Sequence, residues 1–198
     1  MLINVAKIID VSRVNGPGIR SVIWVQGCPN DCHGCFNQSF RPFIEAHIYS
    51  IQELYEIIIK NKNKYQIEGV TYSGGEPFAQ AEGLYYLSKM LKEEGLNILC
   101  YSGFKLGQLK NENNPFISKL LSEIDILIDG PYIKELHELK FWRGSSNQKL
   151  HLLSNAIDRS KIFSNEDSEI EFHIDKFGNI TITGTFDKEL MDYLKEKL

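Results

Sequence analysis

The sequence predicts an α/β fold: a partial (β/α) barrel of parallel strands with a small C-terminal β-hairpin plus helix appendage. Three observations predict it. Short apolar, β-branched runs alternate with segments of helical apolar spacing, the order of βα units. Each run ends in a polar or Gly-rich loop, where parallel βα architectures place their sites. Beyond about residue 153 the alternation stops, and two short runs flank a turn instead. At 198 residues this reads as one domain, with a core over about 3–153 and an appendage over about 154–198.

The elements follow in order. Ile3 to Val11 is apolar and β-branched, a first strand. Arg20 to Gln26 is a near-continuous apolar run, a strand buried on both faces. Cys28 to Pro42 is rich in Gly, Pro, Asn and Cys, hence a loop. Ser50-Ile51-Gln52-Glu53 is a capping box that opens a helix with Ile51, Leu54, Tyr55, Ile58 and Ile59 on one face. Gly69 to Ser73 is a short strand running into Gly74-Gly75. Gln80 to Glu94 carries Leu84, Leu87, Met90 and Leu91 at helical spacing, and Gly95 stops it. Asn97 to Tyr101 is a strand, Phe116 to Leu121 a short helix, and Asp125 to Ile128 a strand ending at Asp129-Gly130-Pro131. Lys149 to Leu153 is a possible strand, and Ala156 to Asp167 is polar with no clear element. Glu169 to Asp175 and Ile180 to Thr183 flank the turn Lys176 to Asn179, an antiparallel hairpin. Asp187 then caps a closing helix with Leu190, Met191 and Leu194 on one side.

Composition narrows the function classes. A net charge of -4 excludes a generally basic nucleic-acid binder. The N-terminus lacks a basic region followed by a long apolar stretch, so it is no signal peptide. The longest apolar runs are strand-length, far below the roughly 20 residues that cross a bilayer. The expectation is a cytoplasmic chain with reduced thiols and no nucleic-acid or membrane partner. The four cysteines split three and one, Cys28, Cys32 and Cys35 against Cys100, which argues against a disulfide framework. Cys100, inside an apolar strand, reads as an inert core residue.

Cys28-x3-Cys32-x2-Cys35 allows three sites. Structural zinc wants four closed ligands, and His33 sits awkwardly between two cysteines. A redox dithiol of Cys32 and Cys35 leaves Cys28 unexplained. An iron–sulfur cubane held by three thiolates leaves one iron open for a small molecule, and this reading is favoured. Trp24, Phe36, Phe40 and Phe43 are candidates for an apolar surround. His33 is either a donor to a cluster sulfur or a solvated loop residue, and His47, His137, His151 and His173 have no partner legible in sequence.

The cysteine loop together with Ser73-Gly74-Gly75-Glu76-Pro77, each after a strand, resembles the radical S-adenosylmethionine superfamily. That resemblance implies one [4Fe-4S] cluster on Cys28, Cys32 and Cys35. It implies S-adenosylmethionine on the open iron, with Gly74, Gly75, Glu76 and Pro77 at its methionyl amino group. It also implies reductive cleavage to a 5′-deoxyadenosyl radical. Gly74 and Gly75 allow close backbone approach to a ligand, and Glu76 pairs with an ammonium. Ser102 and Asp129, at strand ends, are candidates for the cofactor's ribose or carboxylate, or else caps and turn residues. Asn15 to Arg20, Gly34-Cys35-Phe36-Asn37, Tyr101 to Phe104, Asp129 to Tyr132 and Phe141 to Gln148 are similar to the glycyl-radical activating enzymes, specifically the activating-protein family of anaerobic ribonucleotide reductase. Two departures stand out: Asn15 where many activating enzymes carry Asp, and a tail longer than the compact family core. The implied activity is glycyl-radical formation on that reductase, with a flavodoxin- or ferredoxin-type reductant. The alternatives are a small-molecule radical enzyme like 7-carboxy-7-deazaguanine synthase, which Phe36-Asn37 after the third cysteine disfavours, and a non-catalytic iron–sulfur protein.

Overall fold

The computed structural model describes residues 1–140, 142–163, 170–174, 177–184, 189–190 and 193. In the closing helix expected from Asp187, the residues Glu189, Leu190 and Tyr193 are described and helical, whereas Asp187, Met191 and Leu194 lie outside the described residues.

The chain forms β1 (Leu2–Ser12), β2 (Arg20–Val25), β3 (His47–Ser50), α1 (Ile51–Tyr65), β4 (Gly69–Gly74), α2 (Ala81–Glu93), β5 (Asn97–Ser102), α3 (Leu106–Asn111), α4 (Pro115–Glu123) and β6 (Ile126–Asp129). It continues with β7 (His137–Lys140), β8 (Arg143–Ser145), β9 (Lys149–Leu152), α5 (Arg159–Phe163), β10 (Ile170–Ile174) and β11 (Ile180–Gly184). One seven-stranded sheet has the order β3-β1-β2-β4-β5-β6-β9. Its centre, β2, β4, β5 and β6, is parallel and wound in sequential order. That is the winding of a (β/α) barrel cut short, and right-handed crossovers put α1, α2, α3 and α4 on one face. The antiparallel strands sit toward the edges, β1 beside β2 and β9 beside β6.

Alternation along each strand sorts the side chains into two layers. Ile23, Val25, Val70, Tyr72, Ile98, Cys100 and Leu127 face Leu54, Ile58, Leu84, Leu87, Leu91 and Leu120 of the helices in the main core. The intervening residues face the other way, where Leu99, Ile126 and Ile128 pack with Trp142 and Ile162, and Val22 and Trp24 with Ile9. Cys100 is fully buried, and burial raises its thiol well above the usual range, as an inert core residue requires.

Local signals explain most boundaries. The Ser50–Glu53 capping box is formed in both directions and starts α1. Gly95, at φ 77°, follows α2 and returns its N–H to Lys92 O at 2.9 Å. The expected C-terminal hairpin is β10 paired antiparallel with β11. Sequence patterning missed β3, α3, α5 and the β7–β8 hairpin. Each helix or strand among them is six residues or shorter, and too brief to show a period.

At the N-terminal ends of the strands, Arg20 is fully buried. Its guanidinium donates to Thr71 Oγ1 (2.8 Å), Asn97 Oδ1 (2.5 Å), Val70 O (2.8 Å), Asn97 O (3.2 Å) and Pro17 O (3.1 Å). Desolvation pulls it down to about 10, and it stays charged while tying together the starts of β2, β4 and β5.

Candidate functional site

The site begins where β2 leaves the sheet. Gly27, at φ 97°, turns the chain, and the Phe43 ring closes over the space a Cβ would need. The following loop is fastened at its root: Gly27 N donates to Phe40 O (2.8 Å) and Cys28 N to Arg41 O (2.9 Å). Gln26 Nε2 donates to Pro42 O at 2.7 Å. Inside it, Cys28, Cys32 and Cys35 carry free, half-buried thiols. Burial pushes the Cys28 and Cys35 thiols up, and charge at Cys32 pushes both further in the same direction. A bound cation would relieve that cost. Among the described residues, no three Cys, His, Asp or Glu side chains are grouped to hold a single metal ion. A cubane sets no such requirement, because each thiolate meets a different iron. A donor set of three soft thiolates on one loop fits an iron–sulfur cluster; His33 is exposed on the loop.

The Gly-Gly-Glu-Pro segment follows β4 and grips the root of this loop. Gly75 N donates to Val25 O and Glu76 N to Gly27 O, both at 2.8 Å. A Cβ on Gly74, at φ 109°, would stand 2.5 Å from Val25 N, and one on Gly75 would stand 2.2 Å from Gly27 O. The close approach these glycines allow is thus to the chain's own backbone beside Cys28. Glu76 is 1% exposed. Its carboxylate accepts from Phe78 N (3.0 Å), Ser102 Oγ (3.0 Å) and Gly103 N (2.8 Å). Asn30 Nδ2, from the cysteine loop, stands 3.5 Å from Oε2. Burial raises this carboxyl to about 7, against the pull of those hydrogen bonds. Pro77 starts the short turn that leads into α2.

Three of the four strand-end loops therefore meet at Glu76: the cysteine loop, Ser73–Pro77 and Ser102–Gly103. Asp129 faces elsewhere. Its Oδ2 accepts from Leu106 N (2.5 Å), at the start of α3, and lies 3.0 Å from His151 Nε2. It caps and braces the scaffold, one of the two roles its position allowed. Ser102 and Asp129 are register partners in the parallel ladder, and alternation gives them the same side of the sheet.

On the other side, a cavity of about 290 Å³ opens beside Cys35. Trp24, Ser73 and Tyr101, at the ends of three parallel strands, form its floor, and Phe36, Phe40 and Trp142 form apolar walls. Phe43 is outside it and 69% exposed, so the expected surround holds for Trp24, Phe36 and Phe40 only. Tyr101 is half-buried and donates to Trp142 O at 3.0 Å. The Arg143–Gln148 stretch spends its polar groups on itself and on the neighbouring Gly130–Pro131 turn, with Arg143 also paired to Glu138. Gln148 Oε1 accepts from Gly144 N (2.9 Å), its Nε2 donates to Gly130 O (3.0 Å), and Asn147 Nδ2 donates to Pro131 O (2.8 Å). The remaining wall comes from Lys7 and Asn15 and, from the far end of the chain, Thr181 to Gly184 of β11. Sequence reasoning gave Tyr101 and the hairpin no role here; the available signal was the period-2 alternation that puts Trp24, Ser73 and Tyr101 on one face.

Comparison with known proteins agrees with this arrangement. Residues 14–151 match the family described as 4Fe-4S single cluster domain. The anaerobic ribonucleoside-triphosphate reductase-activating protein of Vibrio cholerae is 36% identical over 150 residues, covering 72% of this chain and 92% of its own. The protein of the same name from Enterobacteria phage T4 is 32% identical over 151 residues, covering 74% and 92%. That of Escherichia coli is 32% identical over 156 residues, covering 72% and 94%. With a three-cysteine loop set at the root of Gly-Gly-Glu-Pro and relatives matched over nearly their full length, this chain belongs to the anaerobic ribonucleoside-triphosphate reductase-activating protein family.

Proposed function

We propose that the chain is a radical S-adenosylmethionine oxidoreductase that generates a glycyl radical on an anaerobic ribonucleotide reductase. Cys28, Cys32 and Cys35 hold its single [4Fe-4S] cluster, and Glu76 and the adjoining Gly74, Gly75 and Pro77 form the binding place of S-adenosylmethionine. The observation that carries this is Glu76. It is a nearly fully buried carboxylate with no cationic side chain at salt-bridge distance among the described residues. A buried anion of this kind is costly unless a cation arrives, and the methionyl ammonium supplies one.

When bound, the cluster and S-adenosylmethionine together supply a one-electron cleavage that ends in abstraction of a hydrogen atom from a glycine Cα. The chain's own groups do the rest. The loop root at Gly27 and Cys28 fixes the thiols against the end of β4. Ser102 and Gly103 orient the Glu76 carboxylate by donating to both of its oxygens. Trp24, Phe36, Phe40 and Trp142 keep water from the cavity where a reactive radical would be quenched. The relatives' shared name favours a protein substrate over the small-molecule alternative. A flavodoxin- or ferredoxin-type protein delivers the electron. The reducing cytoplasm suits four free thiols; among the described residues no helix is long and apolar enough to cross a membrane.

The test is an anaerobic mixture of the chain, an anaerobic ribonucleotide reductase, S-adenosylmethionine and reductant, read by electron paramagnetic resonance. A glycyl doublet that requires all components is expected. Cleavage of S-adenosylmethionine that depends on an added metabolite, with no glycyl signal, would refute the reading.

A further inference from the structure

The β10–β11 hairpin is built with its polarity reversed. A hairpin lying on a protein surface ordinarily turns its apolar side chains inward and its polar ones to water. Here the inward positions are polar. Glu171 Oε1 accepts from Arg13 N at 2.8 Å, and Thr181 bonds Lys7. Thr183 is buried and exchanges hydrogen bonds with Asn15, accepting from Nδ2 at 2.8 Å and donating to Oδ1 at 3.1 Å. The outward positions are apolar: Phe172 is 52% exposed, Ile174 70% and Ile180 41%. Register places them side by side, since Ile174 pairs with Ile180 and Phe172 with Ile182.

This face runs directly into the candidate site. Ile182, the cross-strand partner of Phe172, lies on the wall of the cavity beside Cys35, as do its neighbours Thr181 and Thr183. The hairpin also lies beyond residue 151, where the family match ends, so it is an addition to the shared core. Contiguous exposed apolar side chains next to a site mark an interaction surface. Their polar backing, hydrogen-bonded to β1 and the loop after it, holds the hairpin in place without using the apolar face.

We infer that the outward face of the hairpin, Phe172, Ile174 and Ile180, is where the protein substrate docks, presenting an apolar patch of its own next to the glycine segment that enters the cavity. This rests on the reading of the chain as an activator of a protein. A small-molecule enzyme would have no use for an apolar surface at the cavity rim, whereas a polypeptide that inserts one segment must also rest its flanks on the rim.

The experiment compares the full chain with Phe172→Ser/Ile174→Ser, and with Phe172→Leu/Ile174→Val as the conservative pair. All three are loaded with cluster and titrated with the reductase, reading glycyl-radical yield and, without reductase, basal S-adenosylmethionine cleavage. The serine pair is expected to keep cluster absorbance and basal cleavage, and to raise KM for the reductase about tenfold or more. The conservative pair is expected to restore KM. An unchanged KM in the serine pair overturns the docking face. Sedimentation decides the remaining alternative: a wild-type dimer that the serine pair splits, at unchanged KM, assigns the face to a second copy and also overturns the proposal. Absence of any glycyl signal from the wild-type chain is a different result, which removes the activating function and the docking proposal with it.

Discussion

Gly75→Ala isolates how the cysteine loop is held. An added Cβ would stand 2.2 Å from Gly27 O, 2.7 Å from Gly27 C and 2.9 Å from Phe40 O, and all three are backbone atoms with no rotamer to change. Something must move, and what moves is the root of the loop before Cys28. Overpacking of this kind costs about 1–3 kcal/mol. The shift also strains two 2.8 Å backbone hydrogen bonds, Gly75 N to Val25 O and Glu76 N to Gly27 O, each worth about 1 kcal/mol. The expected loss is therefore about 3–5 kcal/mol, a large part of a typical domain's stability. Gly95→Ala is the matched control. That glycine has φ 77° but open space around it, so only the left-handed backbone cost of about 1–2 kcal/mol applies. Anaerobic urea denaturation of the cluster-free proteins gives both values, and cluster absorbance after reconstitution gives the consequence for the site. Gly75→Ala should be the less stable of the two and should take up less iron. If it is as stable as Gly95→Ala, or takes up a full cluster, the packing account of Gly-Gly-Glu-Pro is wrong.

Alanine at Cys28, Cys32 or Cys35 should abolish cluster absorbance and S-adenosylmethionine cleavage, while Cys100→Ala keeps both at a stability cost of about 1 kcal/mol for its buried thiol. Glu76 gives the cluster-free protein a pH slope. Its folded-state pKa of about 7 lies above the usual 4.5, so its contribution is full below pH 4.5 and is lost as pH rises through 7. The loss amounts to about 3 kcal/mol, and Glu76→Gln should remove that slope in urea titrations run across this window. Asp125→Ala should cost about 3–5 kcal/mol of stability without touching cluster content. This 1%-exposed carboxylate accepts from Ile98 N (2.8 Å), Lys92 Nζ (2.9 Å) and Ser154 Oγ (2.5 Å), joining β5, α2 and the segment after β9.

The parallel core was legible because its signals are local. Val22–Val25 is apolar throughout, α1 opens on a capping box, and α1 and α2 carry one apolar stripe each. The cysteine spacing and the Gly-Gly-Glu-Pro segment were legible because few chemistries need them. What stayed hidden depends on which side of a strand a residue faces once partners are chosen. Ser102 and Asp129 both end strands, yet one serves Glu76 and the other caps α3, a difference fixed by helix placement. Tyr101 reads only as the last residue of a strand and becomes cavity floor because the sheet's inner face stays open beside Cys35. The union of Asn15 with Thr183 spans 168 residues, and no local pattern announces a contact that distant.

The sequential winding of β2, β4, β5 and β6 puts every crossover helix on one side of the sheet, so the two sides are governed by different parts of the chain. The helix side is sealed by the βα units themselves. The cavity side is finished by segments that belong to none of them: the turn carrying Asn15, Trp142 and β11. Well-separated substitutions on opposite sides should have nearly additive free energies. The part of the rim that β11 supplies can therefore be refitted to a new partner without changing any side chain of the buried core clusters.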